Sequence, residues 1–126
     1  MVDAVGVYVR YETPDEKGET RRQRNERLDH YTPPFEIPKD GQYIWNWFRE
    51  ISAIASNVSD GFYKPIPPSE YLAWQQLTEN IVYPWEYDIM FAMDAVYCDE
   101  MNKEIQSRQQ ARLDRKEREA ELNRRR

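Results

Sequence analysis

The sequence predicts a mainly α-helical fold: a small three-helix domain with a long C-terminal helix, preceded by a short β-prone segment and a proline-rich arm. Apolar residues recur at helical spacing in three separate segments between residues 41 and 105. Two of these segments open at a proline, which a helix tolerates in its first turn. Residues 106–126 are mostly good helix formers with few large apolar side chains, which is typical of a solvated extension.

Composition limits both the size of the core and the class of protein. The chain has 126 residues, enough for one domain, and only 40% of them are hydrophobic while 33% are charged. Four Trp, nine Tyr and four Phe must therefore supply much of the buried area. The net charge of −5 argues against a general nucleic-acid binder. No signal-peptide pattern and no membrane-length apolar run are present, so we expect a cytoplasmic protein that binds no membrane.

Residues 1–35 are predicted to lie outside the helical domain as a partly disordered segment. A short strand is indicated by alternating apolar residues, Val5, Val7, Val9 and Tyr11. Residues 12–30 contain Leu28 as their one large aliphatic side chain, a composition that does not repay the entropy of ordering. The arm that follows, YTPPFEIPKDG, can lay Phe35 and Ile37 against the core.

The three-helix domain is predicted over residues 36–105. Its first helix, residues 41–56, has one apolar arc: Tyr43, Ile44, Trp47, Phe48, Ile51, Ile54 and Ala55. Trp45 falls outside that arc and is predicted to point away from the core. An Asp60-Gly61 turn then leads to a second helix, which opens near Ser69 and ends near Asn80. Its narrow apolar stripe is Tyr71, Trp74, Leu77 and Thr78.

The third helix begins at Pro84 and has apolar residues on two sides. One arc is predicted to face the core: Trp85, Ile89, Ala92, Met93, Val96 and Tyr97. A second group lies on roughly the opposite side: Tyr87, Phe91, Ala95, Cys98 and Ile105. Carboxylates occupy the positions between them: Glu86, Asp88, Asp94, Asp99 and Glu100. The predicted core residues are Trp47, Trp74, Trp85 and Met93.

Two interpretations of the second apolar face remain open. The N-terminal segment and the proline arm can cover it from within the chain, because their own apolar residues also need a partner. Alternatively, another protein covers it, since exposed apolar patches usually mark interaction sites. In that case the predicted contact residues are Trp45, Tyr87, Phe91 and Ile105.

The C-terminal segment, residues 106–126, differs from the rest of the chain in charge. It carries eight Lys/Arg and four Asp/Glu, a net charge of +4, which leaves the remainder at −9 because the whole chain is −5. The segment is either a solvated helical extension or a basic arm that docks on an acidic partner. Arg112 and Arg115 are the predicted contacts of such an arm. Nucleic acid is a weaker alternative, because no aromatic residues interleave with the arginines.

The sequence shows no constellation for catalysis, a cofactor or a metal. His30 is the one histidine and lies in a polar segment, and Cys98 has no histidine nearby on its helix. The four glycines are scattered and form no phosphate-binding loop. We therefore expect a protein that is not an enzyme and has no cofactor or metal site.

Three blocks of the sequence occur in an order that points to a family. They read IPKDGQYIWNWFREIS, KPIPPSEYLAWQQLT and YPWEYDIMFAMDAVY, and the resemblance they carry covers about residues 36–98. This succession resembles the tail assembly chaperones, small proteins encoded among the tail genes of tailed phages (siphophages). The blocks contribute tryptophans to each helix of the predicted domain, and the resemblance leaves residues 1–30 and the basic segment unaccounted for.

The resemblance implies a non-enzymatic role in building a phage tail in the host cytoplasm. Such chaperones are thought to coat the tape measure protein, to help recruit tail tube protein and to leave before the tail is complete. Two alternatives remain: a small adaptor that stays in the virion, and a phage protein that binds, or is sensed by, a host factor. The sequence determines neither the oligomeric state nor which of these partners binds.

Overall fold

A computed structural model describes residues 1–15 and 17–125, and within them the chain forms five α-helices and one β-hairpin. The helices are α1 Val2–Glu12, α2 Arg21–Arg27, α3 Gln42–Ala55, α4 Pro68–Thr78 and α5 Pro84–Arg124. The hairpin strands are β1 Asn57–Ser59 and β2 Phe62–Lys64, and a 3₁₀ turn over Lys39–Gly41 leads into α3. The predicted mainly α class with a long last helix is confirmed.

The N-terminal segment is a helix, so the predicted strand is wrong. Val5 and Val9 of α1 are fully buried, whereas Val7 between them is only partly covered. Residues four apart share one helix face, and that face packs on α5. The β-propensity of valine is weak compared with such packing, and the alternating pattern happens to contain this helical pair.

Residues 12–30 contain α2, where the sequence predicted no regular structure. A capping box starts this helix: the Gln23 N–H donates to Thr20 Oγ1 at 3.1 Å, and the Thr20 N–H donates to Gln23 Oε1 at 2.9 Å. Ion pairs join α2 to its neighbours, Arg22 with Glu12 of α1 and Arg21 with Glu104 of α5. Polar contacts thus hold a segment that has little apolar surface to bury. Glu16 lies outside the described residues.

Helix α5 is the central element, because α1, α3 and the hairpin all pack on it. Its buried side is centred on Met90 and Met93, both fully buried. Trp85, predicted to be in the core, is instead 55% exposed because it lies about 140° around the helix from Met90. The predictions for Trp74 and Met93 are confirmed, and Trp47 packs against the core while partly covered.

Trp45 is 5% exposed, so the prediction that it points away from the core is wrong. Its ring meets Tyr8 of α1 and Phe35 of the proline arm, both at centroid distances of 5.3 Å. The N-terminal segment therefore covers a side of α3 that the sequence pattern predicts to face solvent. The expectation that Phe35 and Ile37 pack on the core is confirmed.

The segment between α3 and α4 folds into a hairpin around the predicted turn. Asp60 and Gly61 both have left-handed backbones, with φ of 56° and 82°. Asn102 of α5 pairs with the backbone of Tyr63, accepting from its N–H at 2.8 Å and donating to its C=O at 3.1 Å. Helix α4 ends at Thr78, and the left-handed residue there is Glu79, not Asn80.

Candidate partner-binding surface

The two apolar sides of α5 are flanks of one wide buried arc. On one flank Gly6 of α1 lies so close that a Cβ there would be 3.8 Å from Val96 Cγ1. On the other flank the Tyr87 ring meets Tyr71 of α4 at 5.2 Å between centroids, and Cys98 is buried. Internal packing therefore explains much of the apolar circumference of α5, but it ends at Phe91.

Phe91 marks the end of an aromatic series that runs from the core to the surface. Tyr71 is buried, Tyr87 is partly covered, and Phe91 is 53% exposed with its ring 6.1 Å from that of Tyr87. The N-terminal helix does not reach this position. Phe91 is thus an aromatic side chain held from one side and open on the other.

Exposed large hydrophobic residues concentrate around this position in the chain. Thirteen occur in residues 1–15 and 17–125, and six of them lie between residues 72 and 91. We call these six the apolar stretch 72–91: Leu72, Leu77, Ile81, Tyr83, Trp85 and Phe91. Contiguous exposed apolar patches mark interaction sites whereas single exposed apolar side chains are normal, so what these six residues share is their place in the chain.

The residues predicted as partner contacts do not form one site. Trp45 is buried, Tyr87 and Ile105 are partly covered, and Phe91 is exposed. Arg112 and Arg115 are exposed on the far part of α5. With a rise of about 1.5 Å per residue, Arg115 lies about 36 Å along the helix from Phe91.

Five residues of the apolar stretch 72–91 are not among the predicted contacts: Leu72, Leu77, Ile81, Tyr83 and Trp85. Leu77, predicted on the apolar stripe of the second helix, is 81% exposed. Leu72 carried a usable signal, because it follows Tyr71 and is therefore turned about 100° from the buried line of α4. Ile81 and Tyr83 lie in the connection between α4 and α5, where helical periodicity gives no information about burial.

Two carboxylates on α5 that looked like solvent-facing residues are buried. Glu86 accepts from the Tyr43 hydroxyl at 2.6 Å and from the Tyr83 N–H at 2.8 Å, which closes the start of the helix. Asp94 accepts from the Ile66 N–H at 2.8 Å, and burial raises the pKa of its carboxyl above the ordinary value despite this bond. Both carboxylates therefore join chain segments to α5.

Groups with catalytic chemistry are placed apart from one another. His30 is exposed after α2, whereas Cys98 is buried, and this burial raises the pKa of its thiol to about 12. Within residues 1–15 and 17–125, no group of His, Cys, Asp and Glu side chains is arranged to hold a metal ion. None of the helices in this described part has both the length and the apolar character required to cross a bilayer.

The family model for phage tail assembly chaperones matches residues 19–99, more than half of the chain. The chain belongs to this family, which confirms the resemblance seen in the sequence. No curated protein and no solved structure matched it.

Family membership defines the role at the level of tail assembly. The protein acts as a chaperone in phage tail assembly, which takes place within the host cell, and this role implies interaction with tail proteins. Chaperones of this family are generally non-enzymatic. The match includes the whole apolar stretch 72–91 and excludes α1 and the part of α5 beyond residue 99.

Proposed function

We propose that this chaperone binds apolar surface on the tape measure protein, on the tail tube protein or on both, with Phe91 as a central contact. The observation that carries the proposal is the concentration of exposed large hydrophobic residues in the apolar stretch 72–91. Aromatic side chains that fill a partner's pocket supply most of the binding energy at many interfaces. Tyr87 is expected to contribute at the edge of this contact.

Phe91 suits this role because it is already positioned. Its ring rests on Tyr87, which in turn rests on Tyr71, so little side-chain freedom remains to be lost on binding. Covering the exposed half of the Phe91 side chain contributes about 1–1.5 kcal/mol, half of the value for burying a whole phenylalanine. One such contact is weak enough to be displaced, whereas many copies along one long partner would bind with avidity.

The basic C-terminal end of α5 is proposed to contribute to binding through its charge. Arg112 and Arg115 lie in a segment of net charge +4, and the remainder of the chain has a net charge of −9. An acidic surface near the binding site of a tail protein would attract this segment and speed association, an effect that salt weakens. Ile105, partly covered on the same helix, would lie between the two regions.

The test compares Phe91→Ala with Val58→Ala. Val58 is 55% exposed on β1, outside both the apolar stretch 72–91 and the basic segment, so both variants remove an exposed apolar side chain at little cost in stability. Affinity for purified tape measure or tube protein is measured by calorimetry. We expect Phe91→Ala to weaken binding about tenfold and Val58→Ala to leave it unchanged.

Equal affinities for the two variants would contradict the role of Phe91. Mass spectrometry of purified particles separates the alternatives, since a chaperone leaves before the tail is complete. Stoichiometric presence in particles would favour the virion adaptor, and binding to neither tail protein but to a host factor would favour the third interpretation.

A further inference from the structure

We infer a second binding site: an aromatic groove between α1, α3 and α5 that takes a partner polypeptide segment in which a carboxylate side chain adjoins an apolar one. The apolar side chain enters the groove and the carboxylate pairs with Arg49. This site lies away from the apolar stretch 72–91 and does not depend on the function proposed for that stretch.

The groove has aromatic walls and is the size of one side chain. Tyr8 of α1, Trp45 and Phe48 of α3, and Tyr97 of α5 line it. Its volume is about 200 Å³, below the roughly 300–1,000 Å³ of pockets for drug-sized ligands. It opens to the surface, so a side chain can enter while its backbone stays outside.

Arg49 supplies an uncompensated positive charge at this groove. Its guanidinium carbon lies 5.0 Å from the centroid of the Tyr8 ring and 5.9 Å from that of Trp45. Stacking on aromatic faces leaves the N–H groups at the edge of the guanidinium available for a carboxylate. Among the described residues no carboxylate pairs with Arg49, whereas four arginines of the N-terminal segment do have one: Arg10, Arg21, Arg22 and Arg27.

Ser52 lines the same groove. Its hydroxyl oxygen is buried and has no hydrogen-bond partner among the described residues. Because this oxygen is closed off from the groove opening, Ser52 contributes to the lining and offers no hydrogen bond to a ligand. Ser56, one turn further along, is by contrast satisfied through the Ser52 carbonyl at 2.5 Å.

These features select a peptide and disfavour a nucleic acid. A phosphate backbone is held by several cations, and Arg49 is the one cation among the residues that line the groove. A single carboxylate next to an apolar side chain matches one guanidinium and one aromatic groove. The body of the chain is also acidic, which repels a polyanion but affects a single charge less.

The experiment titrates the full ¹⁵N-labelled chain with two capped tetrapeptides, acetyl-Gly-Leu-Glu-Gly-amide and its counterpart with Gln in place of Glu. Chemical shifts of the Trp45 indole N–H and the Ser52 amide report on the groove. We expect both signals to move, with binding about tenfold tighter for the Glu peptide. Arg49→Gln should abolish that preference, and Arg118→Gln on the exposed end of α5 should preserve it.

Equal binding of the two peptides by the unaltered protein would overturn the inference without reference to any variant. So would a Glu preference that survives in Arg49→Gln, or shift changes confined to residues away from the groove. Absence of binding by either peptide up to about 10 mM would also refute it. Measured affinity for tail proteins in the Phe91→Ala experiment is a separate readout, so the two proposals can fail independently.

Discussion

Replacing Val5 and Val9 by alanine tests whether the N-terminal helix belongs to the cooperative core. Both side chains are fully buried against α5, and each substitution removes two methyl groups. Transfer free energy alone amounts to about 1.6 kcal/mol per site, at about 0.8 kcal/mol per buried methylene. Cavities add to this where the structure does not collapse, so the double variant should lose about 3–5 kcal/mol.

That loss is a substantial fraction of the roughly 5–15 kcal/mol by which a domain is stable. Urea unfolding, followed both by tryptophan fluorescence and by far-ultraviolet circular dichroism, measures it. Val58→Ala is the matched control, because Val58 is 55% exposed on the hairpin and should change stability by less than about 0.5 kcal/mol. If the double variant does not fold, the two single variants should each show about half of the loss.

A double variant as stable as the unaltered protein would refute the reasoning. It would mean that α1 detaches without disturbing the rest, and that the N-terminal segment is an accessory to an independent three-helix unit. In that case the domain boundary predicted near residue 36 would be physically meaningful. A measured loss of about the expected size would show that the cooperative core includes α1 from residue 5 onward.

Three further outcomes follow from the structure. Gly6→Ala should raise the free energy of unfolding, measured by urea titration, by about 0.5–1 kcal/mol. The added Cβ would meet Val96 at an ordinary contact distance of 3.8 Å. A decrease would mean that α1 packs differently. Burial raises the pKa of Asp94 above 3.8. The protein should therefore lose stability, relative to Asp94→Asn, as the pH rises from 3.8 through the pKa of Asp94 in the folded state. The opposite trend would show that the hydrogen bonds of Asp94 outweigh its burial. Burial, and then the charge of Asp94, raise the pKa of Cys98 to about 12. At pH 8 the Cys98 thiol should therefore react with a thiol reagent about a thousandfold more slowly in the folded than in the unfolded chain. Equal rates would contradict its burial.

The elements of the central region could be predicted because their signals are local. Pro68 and Pro84 mark the starts of α4 and α5, and the Asp60-Gly61 pair marks the hairpin turn. Each depends on the backbone preferences of one or two residues, which tertiary contacts rarely override. The blocks that suggested the family lie in this same region, and the family match covers them.

Which faces are buried could not be read from periodicity alone. The patterns on α3 and α5 show apolar residues on several sides but not which neighbour covers each. The spacing therefore places Trp85 of α5 in the core and Trp45 of α3 in solvent, and both predictions are wrong. Trp45 is buried because Tyr8 of α1 and Phe35 of the proline arm reach it, and Tyr8 lies more than 30 residues away in the sequence. Such long-range contacts leave no mark on the local spacing that reveals a helix.

The amino-acid sequence by itself determined the helical class, the starts of the main helices, the acidic body with its basic extension and the membership of the tail assembly chaperone family. Only the tertiary structure decided that α1 is a helix, that α5 is wrapped from two flanks, and that the apolar stretch 72–91 stays exposed. The physical reason is that propensity and capping act within a few residues, whereas burial depends on which distant segments meet. The surface that a partner would use is what remains after those segments have packed.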